Sequence, residues 1–227
     1  MMLFVIILVG MFVMTFVVMI QRFAKNLLSE EGYLMHTLPV KPWMHIVGKL
    51  LVASLWMVLS GIVAILAVLM ILPGSVFSAD NLRELGDFLA KVYSIDGAWL
   101  FTLEFVLGSI VSLASGILML YASIAIGHLV NDHKIIAALG AYVGLSTVTQ
   151  ILFMSVAAIP GVPGMKGFLN MTGQNDPFSR MSPEMALQQI APHLHGFFWF
   201  MILFSVAITV GYFVITNVIL SKRLNLE

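Results

Sequence analysis

The sequence contains no cysteine and few charged residues. Among its 227 residues, Asp, Glu, Lys and Arg make up 10% and the hydrophobic types 60%. The lack of cysteine excludes disulfides, thiolate metal sites and cysteine nucleophiles. Soluble domains carry about 25% charged and about 45–50% apolar residues, and a fold of this length would still leave about a quarter or more of its unfolded-chain surface in water. The composition therefore predicts an integral membrane protein.

Motifs that carry enzymatic chemistry are also missing. The chain has neither the HExxH of helical zinc proteases nor a G-x-S-x-G nucleophile turn. The glycine-rich run from Gly161 to Gly167 lacks the spacing and the Lys-Ser/Thr of a phosphate-binding loop. The net charge is zero, which gives no indication of nucleic acid or of an acidic partner. We expect no catalytic, cofactor or metal site in this chain and no nucleic-acid partner.

Five apolar windows reach the length of about 20 residues that a transmembrane helix needs. They cover about residues 3–20, 44–72, 98–129, 135–159 and 196–220. The first window lacks the basic n-region and the small-x-small cleavage site of a signal peptide, so we interpret it as a retained helix. The sequence predicts an all-α polytopic membrane protein with five transmembrane helices, forming a single transmembrane domain over residues 1–227.

The basic residues predict the orientation, because Lys and Arg concentrate in cytoplasmic loops. With the N-terminus outside, the inner segments carry Arg22, Lys25, Lys41, Lys49, Lys134, Lys222 and Arg223, and the outer segments carry Arg83, Lys91, Lys166 and Arg180. The inner segments hold more bases although they are shorter. We therefore expect a multi-pass protein of the cell membrane with its N-terminus outside and its C-terminus in the cytoplasm. Residues 21–43 then form an inner loop, and residues 73–97 and 160–195 form outer loops.

Both outer loops contain an amphipathic helical pattern. In the first, Leu82, Leu85, Leu89 and Val92 recur at helical spacing. In the second, Ser182-Pro183-Glu184 follows the order of an N-cap, a proline at the first helical position and an acid in the first turn. We expect two short helices on the outer membrane surface. A lid over the helix bundle is the alternative.

Two polar residues inside the predicted spans are candidates for a transport pathway. Glu104 lies in the third span, where a charge at the bilayer centre would cost about 2.5–3.5 kcal/mol on insertion scales. It either lines a polar or ion-coupling pathway or takes part in a helix–helix hydrogen bond. Gln150, in the fourth span, needs a partner inside the bundle.

His193 and His195 form an H-x-H before the last span, and without a third ligand nearby we predict interfacial histidines, not a metal site.

Small residues recur every four positions in the third and fourth spans. These residues are Gly108, Ser112 and Gly116 in the third span, and Gly140 and Gly144 in the fourth. Small side chains at this spacing allow helix backbones to approach closely in lipid. They predict a tight bundle or a dimer interface.

The segment between the first two spans has the most distinctive pattern. From Gln21 to Trp43 it reads QRFAKNLLSEEGYLMHTLPVKPW, and it leads to Gly48-Lys49-Leu50. It resembles the permease, or transmembrane, subunits of type-2 ATP-binding-cassette exporters, in particular a group from Gram-positive, clostridium-like bacteria with the pattern R-F-x-K-N-L-x-x-x-E-G-Y-L-x-x-T-L-P-V. A second match begins at Ala122 with ASIAIGHL and continues through Asn131, His133-Lys134 and Ala141-Tyr142. The resemblance spans about residues 10–155.

The resemblance implies a partner for this inner loop. In the family, the loop lies against a separate ATP-binding cassette subunit and passes its closure to the helices. By resemblance, the coupling residues here are Asn26, Glu30, Glu31, Gly32, Tyr33, Thr37 and Pro39. ATP is then bound by the partner subunit, and this chain is not itself an enzyme. The alternative is a solvated connector that contains an interfacial helix.

The expected function is therefore ATP-driven export by alternating access, with this chain as the transmembrane subunit of a homodimer or paired permease surrounded by membrane lipid. Such permeases usually have six spans, whereas this chain begins with the span that would be second. Two other classes remain open. A channel or secondary transporter would need polar residues near the midplane beyond Glu104 and Gln150. A non-transporting membrane assembly or immunity protein would need only the packing faces.

Overall fold

A computed structural model describes residues 2–28, 41–94, 97–130, 133–159 and 183–222. Within these ranges the chain forms six α-helices and one 3₁₀ turn, Gly74–Phe77, and no strand. The helices are α1 Met2–Leu28, α2 Pro42–Ile71, α3 Ala79–Tyr93, α4 Ala98–Gly127, α5 Lys134–Ala157 and α6 Pro183–Lys222.

Five of the helices are long and apolar enough to cross a membrane. The spans are Ile6–Phe23, Trp43–Ile71, Ala98–Gly127, Lys134–Ala157 and Leu194–Ser221. Many of their large apolar side chains are exposed, among them Leu51 (65%) and Ile135 (79%). Exposed apolar side chains are stable in contact with the hydrocarbon of a bilayer. The helix satisfies its backbone hydrogen bonds internally, as a segment in lipid requires. The prediction of an all-α polytopic membrane protein with five spans is confirmed.

The helix α3 has the amphipathic character that its sequence predicts. Ser78 precedes it as the N-cap, and its Oγ accepts a hydrogen bond from the Asn81 N–H at 3.4 Å. The apolar face is exposed in the described chain at Leu82, Leu85, Phe88 and Leu89. An uncovered apolar face beside a charged one is typical of a helix that lies on a membrane surface.

The last helix is longer than the sequence indicated. A short surface helix beginning near Pro183 and a separate span over 196–220 were expected, but α6 runs without interruption from Pro183 to Lys222. The helix begins at the proline because that residue has no N–H to leave unsatisfied and its fixed φ suits the first turn. Pro192 lies inside α6 and does not end it, in contrast to its usual effect in a soluble helix.

The chain divides into two compact units. The first comprises residues 1–71, 113–148 and 208–227, and the second comprises residues 72–112 and 149–207. The first unit has a buried cluster formed by Met19 and Phe23 of α1, Ile46 and Ala53 of α2, Ile117, Leu118, Tyr121, Ala122 and Ile124 of α4, and Tyr212 and Leu220 of α6. Among the described side chains of the second unit, the buried ones are those of Ala98, Glu104 and Ile202. One of these is a carboxylic acid, which makes the second unit chemically unusual.

Close helix approach occurs at a glycine that the small-residue pattern did not include. A Cβ placed on Gly127 of α4 would lie 2.6 Å from the Cβ of Ala138 of α5, so only glycine fits there. Among the predicted packing residues, Gly108 lies against Ile202, with 3.6 Å from a Cβ to Cγ1. In the described chain the space beside Gly116, Gly140 and Gly144 is open, and Ser112 is exposed. A dimer interface at these positions stays a prediction.

Candidate functional site

Glu104 is buried in the second unit and is paired with His195. Its side chain is 1% exposed, and the Nδ1–H of His195 donates to Oε1 at 3.0 Å and to Oε2 at 2.9 Å. An ionised Glu104 can only accept, so the contact then requires the imidazole proton on Nδ1. A buried carboxylate without such a donor would be strongly unfavourable. Glu104 therefore takes part in a helix–helix hydrogen bond, which places an imidazole against the carboxylate. Its role in a polar or ion-coupling pathway stays a prediction.

Aromatic packing holds the histidine in place. The ring of Phe101 stacks on the His195 imidazole, with 3.9 Å between centroids and 18° between planes, and Phe198 meets Phe101 edge-on at 6.2 Å. Phe101 and Glu104 are three residues apart on α4, and His195 and Phe198 are three apart on α6. Residues at this spacing share one helix face. Two short sequence pairs on two helices thus build the site.

Gly97 lies beside the histidine, in the turn that begins α4. It adopts a φ of +88°, and a Cβ on it would lie 3.5 Å from the His195 Nε2. Its carbonyl accepts the Leu100 N–H at 2.9 Å in the turn that begins α4. The position requires a left-handed backbone that glycine adopts without steric cost.

Gly97→Ala is accordingly expected to lower the free energy of unfolding by about 1–2 kcal/mol, the cost of a left-handed residue with a Cβ. Reversible unfolding in detergent–lipid bicelles, followed by circular dichroism, measures it. Gly86→Ala is the matched control, because Gly86 lies inside α3 with no heavy atom within 4 Å of an added Cβ. Alanine should favour the helix there by about 1 kcal/mol. Equal effects at both positions would contradict the role assigned to Gly97.

The other predicted polar residues do not join this pair. The side chain of Gln150 is exposed on α5. His193 lies in α6, and its side chain is outside the described residues. In the described parts of the chain, no group of three or more His, Cys, Asp or Glu side chains could hold a metal ion. Sequence reasoning treated His195 as interfacial and did not pair it with Glu104.

A second notable arrangement, in the first unit, joins the end of α1 to the beginning of α2. The rings of Phe23 and Tyr121 are stacked, with 3.8 Å between centroids and 7° between planes, and both side chains are buried. The Lys49 Nζ donates to the Arg22 carbonyl at 3.3 Å, and the Tyr121 hydroxyl donates to the Lys49 carbonyl at 3.3 Å. Ile46, near the start of α2, is fully buried in the same cluster. We call Arg22, Phe23, Ile46, Lys49 and Tyr121 the junction.

The predicted coupling residues lie next to the junction along the chain. Asn26 belongs to the last turn of α1, and its side chain is outside the described residues. The remaining members, Glu30, Glu31, Gly32, Tyr33, Thr37 and Pro39, also lie outside the described residues. The structure thus describes the two helix ends from which this segment leaves and to which it returns.

Comparisons with protein-family models, with curated proteins and with solved structures find no match for this chain.

Proposed function

We propose that this chain is the transmembrane subunit of an ATP-driven exporter, acting as a dimer with two separate ATP-binding subunits. The observation that carries the proposal is the junction, because it joins both ends of the segment that resembles a coupling loop. A force that the ATP-binding subunit exerts on that segment would displace α1 and α2 together. Through the Phe23–Tyr121 stack it would also act on α4.

The junction suits mechanical coupling because its contacts are close and buried. Packed interfaces respond to a small displacement by changing between discrete arrangements and not by gradual deformation. Three helices joined by a ring stack and two hydrogen bonds would therefore move as a body when the ATP-binding subunits close. ATP stays on the partner, and alternating access of the helices moves the substrate.

The proposed orientation places the junction on the cytoplasmic side of the cell membrane. Arg22, Lys41 and Lys49 lie near the segment between α1 and α2, and the positive-inside rule favours the cytoplasm for such bases. The N-terminus of α1 is then outside and the end of α6 inside. An ATP-binding subunit can reach the segment only from that side.

Charge reversal in the segment tests the coupling. Glu30→Lys with Glu31→Lys should weaken retention of the ATP-binding subunit by the tagged chain at least about tenfold, since like-charge contacts across an interface cost several kcal/mol. Co-purification and the ATPase rate of the complex are the two measurements. Asp80→Lys with Glu84→Lys is the matched control, because both acids are exposed on α3. Full retention and full ATPase stimulation in the Glu30/Glu31 variant would contradict the proposal, as would the absence of any ATP-binding subunit from the purified wild-type complex.

A secondary transporter is the second candidate, and the buried Glu104–His195 pair is the observation that favours it. Ionisable residues inside membrane-spanning helices often mark ion or proton pathways. In this alternative, the pair would exchange a proton or cation during transport, and an ion gradient would replace ATP as the energy source.

A further inference from the structure

The helices α1 and α2 border an open groove in the first unit. Its volume is about 740 Å³, within the range of about 300–1,000 Å³ that small-molecule sites occupy. At one end the lining includes Arg22, His45 and Lys49. Farther along, the lining includes Met19, Val52 and Trp56. One end of the groove is therefore basic and the rest is mainly apolar.

The groove follows the helix axes into the membrane-spanning segments. His45, Lys49, Val52 and Trp56 succeed one another at helical spacing along one face of α2. At about 1.5 Å per residue, this face extends over about 16 Å. Val52 and Trp56 are 46% and 55% exposed, so the groove opens to the surroundings that the membrane occupies. A ligand with a charged head and a long apolar chain matches this shape.

The charges at the basic end favour an anion. The Lys49 Nζ lies 3.3 Å from the Arg22 backbone carbonyl, and both residues line the same end of the groove. The described residues of this unit contain no Asp or Glu. Glu30 and Glu31, the acids nearest to Arg22 along the chain, lie outside the described residues. Two cations with no carboxylate beside them among the described residues attract a phosphate group.

We propose that this groove binds one anionic phospholipid, with its phosphate between Arg22 and Lys49 and an acyl chain along Met19, Val52 and Trp56. A lipid fits better than a free phosphate because most of the groove is apolar and opens sideways from the spans. The site goes beyond the exporter proposal and requires only that the Arg22 end lies at a membrane surface. Lipid binding and ATP coupling can therefore fail independently.

Trp56 provides a direct probe of occupancy. The four tryptophans of the chain are Trp43, Trp56, Trp99 and Trp199, and a variant with three of them replaced by phenylalanine keeps Trp56 alone. In vesicles, bromine on the acyl chains of phosphatidylglycerol or of phosphatidylcholine quenches this tryptophan when the lipid occupies the groove. We expect phosphatidylglycerol to be preferred over phosphatidylcholine beside Trp56 by at least about fivefold. One nearby base stabilises an anionic lipid by about 1 kcal/mol, which corresponds to about that factor. A variant that keeps only Trp199, in the second unit, is the control. In vesicles of the same lipid composition, it should show no more than about a twofold preference for phosphatidylglycerol over phosphatidylcholine.

Matched base substitutions locate the effect. Arg22→Gln with Lys49→Gln should reduce the preference to that of Trp199, whereas Lys41→Gln with Lys134→Gln, two exposed bases that do not line the groove, should preserve it. The chain with all four tryptophans offers a second measurement. Mass spectrometry of lipids that co-purify with it should show phosphatidylglycerol enriched at least about fivefold over the Arg22/Lys49 variant. Circular dichroism confirms that each variant is helical.

Four results would overturn the proposal. Trp56 could show no preference for phosphatidylglycerol, or the preference could survive in the Arg22/Lys49 variant. Displacement of the lipid by soluble glycerol 3-phosphate at equal concentration would identify a site for a free phosphate. A preference that appears only after Glu30→Gln with Glu31→Gln would identify the chain's own segment as the occupant of the basic end.

Discussion

Replacing His195 with phenylalanine is expected to lower the free energy of unfolding by about 3 kcal/mol, the lower end of the range for leaving a buried charge without its partner. Phenylalanine can still stack on Phe101, so the substitution removes mainly the donor. Glu104 is 1% exposed, and its carboxylate would then lack the His195 donor, whose Nδ1 now lies 2.9 Å from Oε2. Reversible unfolding in bicelles, followed by circular dichroism, gives the free energy directly.

Three further variants complete this experiment. His133→Phe changes an exposed histidine and should alter stability by no more than about 0.5 kcal/mol. Glu104→Gln keeps an acceptor for the His195 proton and should cost only about 1 kcal/mol. Glu104→Leu combined with His195→Phe removes both partners. It should recover most of the stability lost in His195→Phe, because replacing a buried polar pair by apolar residues of similar volume often leaves the free energy of unfolding unchanged. A double variant no more stable than His195→Phe alone would show that the loss does not come from an unpaired Glu104 carboxylate.

Glu104→Gln also separates the two candidate functions. If the chain is an ATP-driven exporter, the amide should preserve the helix contact and leave ATP-dependent transport nearly unchanged. In an ion-coupled transporter the loss of the Glu104 carboxyl group would abolish transport while the protein remained folded. Transport and unfolding are therefore measured on the same preparation.

The number and kind of membrane helices could be predicted because lipid imposes one simple requirement on every span. About 20 apolar residues in a row suffice to identify a helix, since all its backbone groups bond internally. Helix boundaries inside a loop were harder to predict. Residues 183–193 contain two prolines, Pro183 and Pro192, and polar side chains, yet they continue into the last span as part of α6. Local composition could not show that this segment joins the span without a break.

The candidate site could be predicted only in part. Glu104 was recognisable because an acid within an apolar span is costly. Its partner was not, since His195 is 91 residues away and composition carries no information about which two spans are neighbours. The matching pairs Phe101/Glu104 and His195/Phe198, each at a spacing of three, were the available signal. Gly127 was missed for the same reason, because its need for glycine comes from Ala138 on another helix.

Phe23→Ala should cause a loss of similar size in the first unit, about 3 kcal/mol. Phe23 is fully buried and stacked on Tyr121, so its removal leaves a cavity in the junction. In a bilayer the unfolded helices remain in lipid, and the cost therefore comes from lost packing contacts more than from transfer to water. Bicelle unfolding measures the loss. Phe16→Ala, at a residue 37% exposed on the same helix, should cost less than about 1 kcal/mol.

The junction variants also test whether these contacts transmit force. Tyr121→Phe keeps the stack and removes the donor to the Lys49 carbonyl, so it should cost about 1 kcal/mol of stability. If the junction passes closure of the ATP-binding subunits to α4, both Phe23→Ala and Tyr121→Phe should reduce transport per ATP hydrolysed while the subunits remain bound. Phe16→Ala should not. A junction that only stabilises the fold would give the stability losses with an unchanged transport-to-ATP ratio, because contacts that carry no displacement can weaken without uncoupling the partner.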